Sequence, residues 1–291
     1  VRLALIVLVA VGVTVGLFEL LSLSSADDAK FLAMERSRIW ELALVFQNAL
    51  WAGVAAFLWG SWRRLRSTYG VDEGVTRRIV LWTLCVVALA GAGAAFSLGR
   101  VPDYALKDDH AFRIASAVFG LCVLAIATAT MALAGATARR VLGAPPARQL
   151  QLYLALRANL HDVLNATAAV IGMLIIVSAA LRGAVLAAGV PAAKFPSDYI
   201  IYFGASYSAL LAFAYAPAYR AFRDVGTVLR DRLHPLPAVA AESWASWCGD
   251  RKALEALLEL DVVGTKSIKT GLALATPLIV SAAGVLIGVG K

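Results

Sequence analysis

The sequence predicts an all-α, polytopic transmembrane helix bundle. It has about seven spans, an N-in/C-out orientation and one short amphipathic cytoplasmic segment. Three observations predict it. Of 291 residues, 60% are hydrophobic and only 16% are charged, whereas soluble domains are about half apolar and about a quarter charged. Mean hydropathy is +0.76, too high for a chain that must present a polar surface to water. The apolar residues also gather into seven runs, each near the ~20 residues a helix needs to cross the hydrocarbon core.

The runs fall at 3–23, 39–60, 79–99, 112–135, 163–184, 199–219 and 270–290. They are too long for strands and show no alternation, which excludes a β-barrel reading. The first follows Arg2 and ends at Ser24-Ser25-Ala26, the outline of a secretory signal with a small-residue cleavage site. Its length and the interruption by Glu19 favour a retained span; cleavage would leave six spans in the same orientation. Aromatic residues mark several boundaries: Trp40, Trp59 and Trp62 at the ends of the second run, Trp82 at the start of the third, and Tyr199, Tyr202, Tyr215 and Tyr219 around the sixth. Their amphipathic rings favour the headgroup level. In the seventh, Pro277 removes a backbone donor and frees the carbonyl of Ala273, so a kink is expected.

Orientation follows from the basic residues. Arg63, Arg64, Arg66, Arg77 and Arg78 lie in the second link, and Arg139, Arg140, Arg148 and Arg157 in the fourth. Arg220, Arg223, Arg230, Arg232, Arg251, Lys252, Lys266 and Lys269 lie in the sixth. The alternate links hold fewer, together with Asp27, Asp28, Asp103, Asp108 and Asp109. Cytoplasmic links carry the excess of Lys and Arg, which sets the N-terminus inside. This placement accounts for the net charge of +8 without nucleic acid, and no groove-reading motif accompanies it. The Ala- and Arg-rich, Lys-poor composition reads as a GC-rich genome, hence a bacterial inner-membrane protein.

One segment, about 220–269, is long enough to form structure outside the bilayer. His234-Pro235-Leu236-Pro237 divides it. Residues 222–233 extend the sixth helix. Residues 250–260 predict an amphipathic helix capped by Asp250, with Leu254, Leu257 and Leu258 on one face and Arg251 and Glu255 spaced i,i+4. Such a helix lies under the bundle or in the membrane interface, and it is also the place for a protein partner to dock.

Helices in lipid associate through small residues. The third run carries Gly91 and Gly93; the last carries Gly284 and Gly288 in a GxxxG match. These serve packing within the chain or a homo-oligomer face.

Ionisable and amide groups at membrane depth are the best functional pointers, because lipid makes them costly. Arg157, His161, Asp162 and Asn165 share an arc of about 140° on the fifth run and suggest a cytoplasmic vestibule in which His161 and Asp162 titrate. Glu19, Glu41, Gln47, Asn48 and Arg182 fall in the outer half, where Arg182 could pair with a glutamate. A structural clamp and the lining of an ion path have the same sequence signature there. Tyr202, Ser206, Ser208 and Tyr215 on the sixth run read as interhelical hydrogen-bonding groups.

Other chemistry is missing. Cys85, Cys122 and Cys248 are dispersed, and His110, His161 and His234 make no metal spacing, so neither a disulfide framework nor a zinc site is supported. There is no phosphate loop, and Gly91-Ala92-Gly93 fails the dinucleotide pattern. Gly204-Ala205-Ser206-Tyr207 lacks the second glycine of an intramembrane serine protease, and the last run offers no histidine base. No lysine stands inside the last run to carry retinal: Lys266 and Lys269 precede it and Lys291 follows it. No cofactor is expected. The function read from the sequence is a channel or transporter for an ion or small solute. The alternatives are a scaffold or effector acting through a partner, including a bilayer-disrupting defence effector, and a membrane enzyme with no catalytic set.

Overall fold

In a computed structural model, residues 34–70, 72–98, 109–235, 244–260, 271–273 and 275–283 are described. The described residues are all-α, without strands. Six α-helices follow one another: α1 Glu35–Tyr69, α2 Glu73–Leu98, α3 Asp109–Arg140, α4 Pro146–Ala187, α5 Asp198–Leu233 and α6 Trp244–Leu257. Residues 271–273 and 275–283 are helical as well. Five of the helices, α1 to α5, are long and apolar enough to cross a membrane. They coincide with the second to sixth apolar runs and overshoot them at both ends, except that α2 stops at Leu98, within its run. The first run, with Glu19, lies outside the described residues.

Local chemistry sets the helix ends. Gly70 closes α1 at φ 52°, its N–H donating to the Arg66 carbonyl. The Asp72 carboxylate then accepts the Val75 N–H at 2.8 Å and caps α2. Pro146 opens α4, where a missing donor costs nothing. Gly189, at φ 88°, ends α4 in a Schellman motif: Val190 N–H donates to the Val185 carbonyl and Gly189 N–H to that of Leu186. α5 stops at His234, whose φ of −138° is the extended backbone favoured before Pro235.

α1 packs on α3 and α4, α3 on α5 and α2, and α4 on α5; α2 lies at the periphery against α3 and α5. Trp51, Leu58, Met131, Leu160, Leu164 and Phe222 belong to the main core. A smaller cluster of Trp40, Leu44, Val185 and Phe195 lies at the opposite end from the connection between α3 and α4. Glycines admit the closest approaches. A Cβ on Gly135 would stand 2.8 Å from Ala218 Cα, and one on Gly204 2.7 Å from the Pro277 carbonyl oxygen. The tight contacts are therefore α3 on α5, and α5 on the helical residues that include Pro277. At Gly91 the approach is looser: a Cβ there would stand 4.0 Å from Leu121 Cδ1 on α3, an ordinary contact, as α2 runs along the rim. The surroundings of Gly93, and residues Gly284 and Gly288, lie outside what is described.

Three connections meet at one end. Arg140 donates to the Tyr69 carbonyl at 2.8 Å and pairs with Asp72 at 2.7 Å. Arg232 donates to the Leu142 carbonyl at 3.2 Å. The links after α1 and α3 and the end of α5, where the basic residues concentrate, thus share one end of the bundle.

The amphipathic segment differs in extent from the sequence reading. The helix begins at Trp244, not at Asp250, which lies within it. The reason is tertiary: the Trp247 ring stacks on His234 at 5.0 Å, and its indole N–H donates to the Pro235 carbonyl at 3.1 Å. These contacts hold Ser246-Trp247-Cys248-Gly249 helical despite the weak propensity of glycine.

Candidate functional site

The densest polar site joins α4 to the end of α6. Tyr153, Arg157 and His161 recur every four residues and so share one face of α4. Against this face lies the turn that follows α6. Leu258 there is completely buried in the main core. Arg157 Nε lies 2.9 Å from Glu259 Oε2, and both side chains are nearly buried, at 9% and 13% exposure. His161 Nε2 reaches the same carboxylate oxygen at 3.0 Å. Arg157 Nη1 donates to the Tyr153 hydroxyl at 2.7 Å and to the Leu258 carbonyl, and Nη2 donates to the Glu259 carbonyl at 3.2 Å. The Tyr153 hydroxyl lies 3.2 Å from the carbonyls of both Phe222 and Leu258; its one proton serves one of them at a time.

Helix-end chemistry explains this concentration. The last carbonyls of a helix have no intrahelical donors and carry the negative end of the helix dipole. A guanidinium satisfies both needs with its fixed fork of donors. The turn is a Schellman motif: Leu260 N–H donates to the Glu255 carbonyl at 2.9 Å, and Glu259 N–H to that of Ala256 at 3.2 Å. Its left-handed position is filled by Glu259, at φ 54°, where the equivalent motif after α4 has Gly189. Glu259 is the one non-glycine residue with positive φ among the described residues. A side chain at that position is disfavoured by about 1–2 kcal/mol, and here its carboxylate is the group that meets Arg157 and His161.

Gly226 on α5 makes room for the joint. A Cβ there would stand 2.7 Å from the Tyr153 hydroxyl and 3.0 Å from Leu260 Cδ2. Outside the buried pair, Arg230 binds Glu255 at 2.9 Å and Arg251 binds Asp231 at 2.8 Å, with Arg251 and Glu255 3.7 Å apart. The Arg230–Glu255 and Arg251–Asp231 pairs tie α6 to the end of α5, and such partly exposed pairs are each worth about 0.2–1 kcal/mol.

The structure divides the stripe read on the fifth run. Arg157 and His161 join at Glu259, whereas Asp162 and Asn165 are exposed on another side of α4. Asp162 shares no site with His161. In the other half, Arg182 donates Nε to the Phe195 carbonyl at 2.9 Å and makes no ion pair with Glu41. It ties down the loop after α4. On α1, one Glu41 carboxylate oxygen and the Gln47 amide oxygen are buried without a hydrogen-bond partner among the described residues; Gln47 is 1% exposed. Asn48, also buried, donates to the Leu44 carbonyl at 3.2 Å. Of the sixth-run hydroxyls, Tyr215 is buried while Tyr202 and Ser206 are exposed, so they share no lining. Sequence reasoning missed Glu259, Tyr153 and Gly226. The i,i+4 spacing of Tyr153, Arg157 and His161 was a usable signal for Tyr153.

Among the described residues, no group of His, Cys, Asp and Glu is placed to hold a metal ion. Comparison with family models, curated proteins and solved structures finds no match.

Proposed function

We propose that the chain is a multi-pass integral membrane protein that carries an ion or small polar solute through its helix bundle. The observation behind this reading is the pair of buried, unpartnered oxygens of Glu41 and Gln47 on α1. Buried polar groups are normally hydrogen-bonded, and ionisable or amide groups at membrane depth mark ion and substrate pathways. Glu41 and Gln47 fall within an arc of about 120° on α1, so one side of that helix carries acceptors that a permeating species could use. The 3–23 and 270–290 runs complete seven spans. The basic end of the bundle faces the cytoplasm under the positive-inside rule, in keeping with a bacterial inner membrane.

A scaffold acting through a partner at 220–269 has less behind it. Of the groups that would dock a partner, Arg251 and Glu255 on α6 and Leu258 in the turn after it are engaged within the same chain, which leaves Trp244 and Leu257 as the exposed large apolar side chains of that helix.

Ion flux in proteoliposomes tests the transport reading, with K⁺, Na⁺, H⁺ and Cl⁻ measured separately. Wild-type protein conducts at least one of them, and Glu41→Gln or Gln47→Leu abolishes that flux while insertion is retained. Flux unchanged in both variants, or no flux of any ion in the wild type, would count against it.

A further inference from the structure

We propose that the turn of residues 258–260 is a detachable latch that closes the basic end of the bundle, with the Glu259 carboxylate as its catch and Arg157 and His161 as its keeper.

Three independent observations carry this. The first is the seat. Arg157 is almost buried yet turns all its polar contacts except the one to Tyr153 toward the turn after α6: the Glu259 carboxylate and the carbonyls of Leu258 and Glu259. A cation committed in this way to one separate segment is a receptor for that segment. The second is the backbone. Glu259 occupies a left-handed position at a helix end where glycine is the unstrained choice, and strain of this kind gathers at clamps and switches. The third is the weakness of the remaining attachment. α6 itself has no fully buried residue, and Leu258 is the sole completely buried side chain among described residues 244–260. Beyond the latch, the contacts of α6 among the described residues are the partly exposed ion pairs of Arg230, Asp231, Arg251 and Glu255, the partly buried Leu254, and the stacking and hydrogen bonds that join Trp247 and Arg251 to His234 and Pro235. Segments with few buried apolar contacts open at lower free energy than the core.

Release exposes Arg157, His161 and the Tyr153 hydroxyl, together with the face of α5 around Gly226. A cationic, hydrogen-bonding mouth then stands open at the end of the bundle. That consequence rests on the transport reading; the docking and release of the turn do not.

The test measures the distance between a spin label on the native Cys248 of α6 and a second on Arg148→Cys at the start of α4, in full-length protein with Cys85→Ser and Cys122→Ser. The parent shows one narrow, short distance. Glu259→Gln, which keeps the side chain and removes its charge, raises the long-distance fraction at least tenfold. Gly226→Leu, which keeps every charge and fills the space beside Tyr153 and Leu260, does the same. The thermal melting of the bundle stays that of the parent in at least one of them. Unchanged distances in both variants would overturn the latch. So would a shift accompanied by melting of the whole bundle in both, since the turn would then be a fixed part of the core. Flux recorded on the same variants separates the two readings. Label release without flux in any protein leaves the latch standing and removes transport; flux in the parent with immobile labels does the reverse.

Discussion

Glu259 Oε2 lies 2.9 Å from Arg157 Nε, across 102 residues of sequence, and the acid that makes this pair stands at a backbone position suited to glycine. Two effects oppose each other there. Glu259→Gly would relieve about 1–2 kcal/mol of left-handed strain. It would also leave a nearly buried guanidinium without its counter-ion, which costs about 3–5 kcal/mol. The second effect is larger. Glu259→Gly is therefore expected to loosen the turn, seen as trypsin cleavage at Arg251 and Lys252 at least tenfold faster than in wild type. Cleavage slower than wild type would mean that backbone strain dominates.

Glycines differ by what they touch, not by their spacing. Gly135→Ala would push a Cβ to within 2.8 Å of Ala218 Cα, backbone that cannot rotate away, and overpacking of this kind costs about 1–3 kcal/mol. Gly91→Ala meets nothing closer than 4.0 Å and gains helix propensity of up to about 1 kcal/mol in an aqueous reference. The temperature of aggregation in detergent should fall for Gly135→Ala and hold or rise for Gly91→Ala. The opposite order would place the tight seam on α2.

Asp162 and Glu41 should behave differently in a flux assay. Asp162 is exposed on α4, away from the Arg157 joint, so Asp162→Asn is expected to leave flux within about twofold of wild type, consistent with a surface substitution. Glu41→Gln is expected to abolish it. Loss of flux in Asp162→Asn would restore that residue to the pathway.

Orientation is open to a direct chemical test. In a Cys85→Ser, Cys122→Ser background, a membrane-impermeant maleimide should reach Cys248 only from the cytoplasmic side of vesicles. Lys194→Cys, in the loop after α4, should react only from the other side. Reaction of both from one side would break the alternation on which the span assignment rests.

The long elements were legible in the sequence because hydrophobic length alone specifies them: α1 to α5 stand where the second to sixth apolar runs lie. The end of α5 at His234 was legible from the prolines behind it. The start of α6 was not, because stacking of Trp247 on His234 overrides the local break that Gly249 suggests. In the site, Arg157 and His161 stood out as charges near membrane depth, but their partner did not. Glu259 looks like a solvated charge at the end of an amphipathic helix, and only the Schellman turn aims it inward. Asp162 was grouped with His161 because an arc of about 140° was read as one face, although the two point about 100° apart on a helix and only Arg157 and His161 meet Glu259. Gly226 was passed over because its role depends on Tyr153 from another helix, which no spacing rule within α5 reveals.

The most direct measurement is a double-mutant cycle between Arg157 and Glu259. Arg157→Gln, Glu259→Gln and the double variant would be compared by the free energy of local opening, taken from the rate of trypsin cleavage at Arg251 and Lys252 where opening is fast relative to cleavage. A joint held by this pair should show a coupling of about 1.5–3 kcal/mol, with the double variant little worse than either single one. Additive effects, within about 0.5 kcal/mol, would show that the two side chains act independently and that their pairing does not hold the turn.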